Sequence, residues 1–139
     1  MADSQKKTAI DRLATICNTS SVNSVVVSNG PLDLSLYSSS QLPLVQIVGG
    51  EEVPRYEVSR HALWSFDVEI TVFYLADDDE ADTTEALIKE LKDALGADIT
   101  LSGTCAESYI RSIRRGGEWP LWEFTILLDV SYEKEISNA

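Results

Sequence analysis

The chain has 139 residues and a mass of 15.3 kDa, one domain's worth of sequence, with a core large enough to need no staples. Apolar residues make up 44% and charged residues 24%, the proportions of an ordinary globular domain. Lys and Arg total 11 against 23 Asp and Glu, giving a net charge of −12 and a pI near 4.3, which argues against sequence-independent nucleic-acid binding and against docking on anionic membranes.

Met1 to Lys7 is polar and lacks the apolar centre of a signal peptide, and no run approaches the ~20 apolar residues of a membrane span. A first helix is predicted from Lys6 to about Asn18. Ala9, Ile10, Leu13, Ile16 and Cys17 fall on one helical face, so this helix should lie on a sheet. Val25-Val26-Val27 reads as a short strand. Residues 29–41 follow as a loop excursion, opening on Asn29-Gly30-Pro31 and continuing through the serine-rich stretch from Ser35 to Gln41. Leu44 to Val48 is a second apolar run, ended by Gly49-Gly50. Glu51 to Arg60 mixes charges around Pro54, which suits an edge strand or extended loop, and reads as a projecting hairpin or long loop.

Ala62 to Ala76 is the clearest element. Trp64, Phe66, Val68, Ile70, Val72 and Tyr74 alternate with a more polar set, the period of a half-buried antiparallel strand. Its length exceeds the usual five or six residues, which points to a curved sheet or an overhang. After the acidic run Asp77 to Asp82, a second helix is predicted from Thr83 to Leu95, with Asp82 and Glu85 at capping-box spacing and Gly96 as its left-handed cap. Asp98 to Ser102 reads as a short extended segment. Tyr109 to Arg115 reads as a strand that turns near Gly116-Gly117-Glu118. Leu121 to Glu133 repeats the strict alternation. The expected product is one α+β domain over residues 1–139. Two helices pack on an antiparallel, curved β-sheet, with residues 1–5 and 134–139 as flexible tails.

Catalytic chemistry finds little support in these residues. Asp77, Asp78, Asp79 and Glu80 invite a metal reading, but no register places the glycine and closing glutamate of a calcium loop. The run suits a solvated loop before a helix N-terminus. His61, the sole histidine, has no nucleophile elbow near it. Gly49-Gly50 and Gly116-Gly117 lack a phosphate-loop pattern, and nothing marks Cys105 as activated. Cys17 and Cys105 read as two reduced thiols, and their spacing alone does not exclude a disulfide. No enzyme activity, metal or cofactor is expected.

Contact surfaces are the alternative. Arg111, Arg114 and Arg115 form the one basic cluster of an acidic chain. They read either as scattered surface arginines or as a contact for an acidic face of a second subunit, such as its Asp77–Asp82 region. Trp119 precedes a strand and is a candidate interface anchor. Glu51, Glu52 and Arg55 in the projecting segment complete the candidate contact residues.

Asp93 to Glu135 resembles the tail terminator (tail-completion or minor tail) proteins of long-tailed bacteriophages. The matching residues are Asp98, Thr100, Leu101, Ser102 and Gly103 of an Asp-x-Thr-Leu-Gly-Gly-type turn, then Pro120-Leu121 and a last strand ending Val130-x-Tyr132. Upstream, Leu42-Pro43-x-Val45 and Gly50-Glu51 follow the same order. Ser102 replaces a common glycine, so the positive-φ demand is expected to fall on Gly103 alone. The resemblance implies a non-enzymatic ring, a homo-hexamer at the head-proximal end of the tail tube. Such a ring stops tube polymerisation, contacts the tail tube protein and the head-completion or connector protein, and lets DNA pass without specific binding. It implies a place in the virion neck after assembly in the host cytoplasm. Another neck or tail-tube component of the same fold is the neighbouring reading, and a metal enzyme using the Asp77–Asp79 run is the distant one.

Overall fold

The computed structural model describes residues 5–28, 37–58, 61–101, 103, 105 and 107–135. In chain order the elements are α1 (Gln5–Cys17), β1 (Ser24–Val27), a 3-10 turn at Ser39–Gln41, β2 (Leu44–Gly49), β3 (Val53–Val58), β4 (His61–Leu75), α2 (Glu80–Gly96), β5 (Glu107–Glu118) and β6 (Leu121–Glu135). Much of the expected loop excursion, residues 29–36, lies outside the described residues, as do residues 1–4 and 136–139 of the expected tails.

The two strictly alternating segments pair with each other. β4 and β6 run antiparallel in unbroken register, from His61 opposite Glu135 to Leu75 opposite Leu121. β5 pairs with the far side of β6. On the other side of β4, β2 covers Val68–Phe73 and β3 covers His61–Ser65, so β3 and β4 form the projecting hairpin. The open sheet has the order β1-β2-β4-β6-β5, with β3 beside β4 off that path. It is the curved sheet of an α+β fold.

Alternation decides the layers, because successive strand residues face opposite ways. Phe66, Val68, Ile70, Val72 and Tyr74 of β4, with Phe124, Ile126, Leu128 and Val130 of β6, are buried in one core with Leu13 of α1 and Leu91 of α2. Both helices therefore lie on one face of the sheet. Arg12 of α1 holds Asp98 after α2 at 3.0 Å, and Glu90 of α2 accepts from Thr19 Oγ1 at 2.8 Å and Ser20 Oγ at 3.1 Å.

Six details differ from the sequence reading. β1 pairs with β2 in parallel, not antiparallel. Roughly 16 residues separate the two strands, enough for the crossover that parallel pairing requires. α2 begins at Glu80, with Asp79 and not Asp82 at its cap. Glu80 and Asp82 sit in its first turn, where the helix dipole favours negative charge. Gly96 is the last helical residue, and the cap is Ala97 at φ −76°. Residues 98–101 form turns and not a strand, with Leu101 N–H donating to Asp98 O at 3.1 Å. Leu101 (φ 51°) as well as Gly103 (φ 81°) is left-handed. Full burial of Leu101 offsets the ~1–2 kcal/mol this conformation costs a side-chain-bearing residue.

The β5–β6 turn is the sixth. Gly116 and Gly117 remain in the ladder opposite Glu123 and Trp122, and the connection is Trp119–Pro120, a cis peptide. Pro120 has no N–H to continue the ladder. Its carbonyl accepts from Ala76 N–H at 3.1 Å, tying the turn to the end of β4.

Candidate assembly interface

The sheet face turned away from the helices carries the odd-numbered residues of β4 and β6. Thr71 and Thr125 hydrogen-bond across it at 3.0 Å, and Tyr109 donates to Asp129 at 3.1 Å. The arginine cluster reaches this face from β5. Arg111 Nη1 lies 3.3 Å from Asp67 Oδ1, and Arg114 Nη2 lies 3.8 Å from Glu69 Oε1. Arg115 points to the helix side instead, where it pairs with Glu85 of α2. The split follows from the register shift between Ile110 and Ser112, which changes the alternation of β5. All three pairs are solvent-exposed, a class worth about 0–1 kcal/mol each. Such weak pairs can be exchanged for a partner's carboxylates.

The acidic candidates do not gather into one site. Asp77, Asp78 and Asp79 are exposed in the turn before α2. Asp79 accepts from Thr83 Oγ1 at 3.2 Å, and Glu80 accepts from Thr84 Oγ1 at 3.0 Å. The Thr84 hydroxyl also bonds that of Tyr74, so Glu80 belongs to the helix–sheet junction. Glu51 is exposed, Glu52 accepts the Tyr132 hydroxyl, and Arg55 sits at the register shift of β3 between Pro54 and Tyr56. Among the described residues, no group of three His, Cys, Asp or Glu side chains could hold a metal ion. Among the described residues, no helix is long and apolar enough to cross a membrane.

Sheet edges offer the larger opportunity. Among the described residues, β5 pairs only with β6, so one side of a 12-residue strand is left without a partner strand. Unpaired strand edges template pairing with another chain. Trp119, at the end of this strand, is 67% exposed, as an interface anchor requires. The sequence reading missed Ile99 and Tyr109, which are half exposed beside an apolar groove at the opposite end of β5. Their signal was an isoleucine in the short Asp98–Ser102 segment and a tyrosine at an outward strand position.

Cys17 and Cys105 are both buried and free. Burial pushes the Cys17 thiol up to about 12. Burial, and then the nearby Asp98 carboxylate, push Cys105 up to about 11. The Tyr132 hydroxyl is also pushed up, by burial and then by Glu52. An unfolded thiol ionises near 9.0, so between pH 9 and 12 the unfolded chain holds fewer protons than the folded one. Stability is therefore complete below pH 9 and falls as pH rises towards 11–12. Urea midpoints from pH 8 to 11 are expected to decline above 9, and a thiol reagent at pH 8 should label neither cysteine until the chain unfolds.

No protein-family model matches the sequence, and no curated protein matches it. Among solved structures the chain is similar to one described as "Virion of native gene transfer agent (GTA) particle". The two are 14% identical with a TM-score of 0.43, and the match covers 93% of this chain and 94% of that chain.

Proposed function

We propose that this chain is a structural virion protein of the tail-terminator type. It forms a ring, a homo-hexamer, at the head-proximal end of a phage tail tube, where it ends tube polymerisation and presents a surface for head joining. Its partners are copies of itself, the tail tube protein and the head-completion or connector protein. It works by contact alone, with no catalysis and no cofactor, in the virion neck after assembly in the host cytoplasm.

The observation that carries this reading is the long open edge of β5, which ends in an exposed Trp119 and bears three arginines in loose surface pairs. It supplies main-chain pairing, an apolar anchor and charge on one strand. The residues of the sequence resemblance support it too, since Asp98, Thr100, Leu101 and Gly103 lie in the segment before this strand, and Pro120-Leu121 carry the chain from its end into β6. The net charge of −12 suits a conduit that must not hold a passing polyanion.

Light scattering over a concentration series tests the ring. A species of about six times 15.3 kDa is expected. A monomer that also ignores purified tail tubes would remove the reading. Charge reversal of Arg111, Arg114 and Arg115 to Glu is expected to leave the circular dichroism spectrum folded while weakening ring or tail assembly. A triple variant that yields joined tails of normal length would take these arginines out of the mechanism.

A further inference from the structure

The two ends of β5 carry features that fit each other. At the start of the strand, Leu95 and Gly96 of α2, Ile99 of the following turn, and Tyr109 and Ile110 of β5 line an apolar groove. Ile99 is 50% exposed, so the groove opens to solvent beside the free strand edge, with Tyr109 at its rim and the Tyr109 hydroxyl turned to Asp129 on the other face. Lys92 also lines it and has no ion pair among the described residues. At the end of the strand, the turn projects Trp119, beside the exposed carboxylate of Glu118. One patch is an apolar hollow with a cation, and the other is an indole with an anion.

We propose that Trp119 of one copy seats in the Ile99–Tyr109 groove of a second copy, with Glu118 against Lys92, so that copies join head to tail. A chain cannot fill its own groove. Ten steps along an extended strand separate Tyr109 from Trp119, about 30 Å at ~3.3 Å per residue. The occupant must come from another molecule, and the same chain supplies a tip of the right polarity. An indole is the side chain most often found as a buried anchor, because it removes a large apolar area from water while losing little conformational freedom. The opposite charges fix which way the tip enters. Two different patches on one molecule make a heterologous contact, which closes into a ring or grows into a filament. The inference rests on the ring reading and deepens it by naming the subunit contact.

The test is a mixing experiment read by light scattering. Trp119→Ala keeps the groove and loses the tip, and Ile99→Asp keeps the tip and loses the groove. Both positions are surface-exposed, so both variants are expected to fold. Each alone is expected to self-associate at least ~30-fold more weakly than wild type. A one-to-one mixture should form a pair of about twice 15.3 kDa, because one intact tip then meets one intact groove. Lys92→Glu should weaken association, and adding Glu118→Lys should restore it. Wild type that stays monomeric to ~1 mM overturns the contact. A hexamer that Trp119→Ala leaves intact overturns the contact while the ring reading stands. An open chain that Trp119→Ala dissolves upholds the contact while the ring reading falls.

Discussion

Replacing Phe124 by alanine is expected to lower the unfolding free energy by about 3–5 kcal/mol, a large share of the ~5–15 kcal/mol that domains possess. Phe124 is fully buried near the start of β6, between Val72 of β4 and Arg115 of β5. Its ring packs 5.9 Å from that of Tyr74 at 57°. The cost depends on whether the site can collapse. Here it cannot do so easily, because the Tyr74 hydroxyl is fastened to Thr84 of α2 and so spaces helix from sheet. Phe73→Ala is the internal control. Phe73 faces the other way and is only half buried, so its loss should cost less than half as much. Urea midpoints of the two variants measure the difference. Equal effects would mean that the bare face is covered as firmly as the core.

Gly117→Ala is expected to cost about 3 kcal/mol. Gly117 has φ 93°, and a Cβ there would lie 2.8 Å from both Leu121 O and Trp122 Cα. These are backbone atoms of the paired strand, so relief requires opening the β5–β6 tip. Two other glycines calibrate the result. At Gly116 the added carbon meets the flexible end of Glu123 at 3.3 Å, and the change should be nearly neutral. At Gly96 it meets nothing within 4 Å, and the residue is helical, so alanine should stabilise by about 0.5–1 kcal/mol. Thermal melts of the three variants should fall in that order. Gly117→Ala should also weaken self-association, because it distorts the support of Trp119.

How much of this was legible in the sequence varies with the range of the interaction. Alternation in the β4 and β6 segments announces both long strands and their buried faces, because the period of two is a property of each strand alone. The stripe through Leu87, Ile88, Leu91, Ala94 and Leu95 announces α2 for the same reason. Its start was misplaced because several aspartates compete for the cap, and spacing alone does not show which one the preceding turn holds. The direction of β1 was not legible, since Val25-Val26-Val27 carries no alternation and its partner lies some 20 residues on. The turn at Trp119–Pro120 was displaced onto Gly116-Gly117, because glycines are the commoner turn signal and here they serve the ladder. At the candidate interface, the exposure of Trp119 was foreseen as an option. The partners of the arginines were not, because Asp67, Glu69 and Glu85 come from other elements. The groove was not foreseen at all. It exists only once β5 places Tyr109 and Ile110 beside the end of α2.

The β4–β6 ladder has a kinetic consequence. Every pair in it joins residues 46 to 74 positions apart, with α2 and β5 strung between them. Closing such a loop costs entropy before any contact repays it. β5–β6 is a local hairpin and can form early, whereas β4 must find β6 across the intervening chain. The meeting of these two strands is therefore expected to limit the folding rate, in milliseconds to seconds and not microseconds. Until it happens, the apolar faces of β4 and β6 stand open, so refolding yield should fall as protein concentration rises.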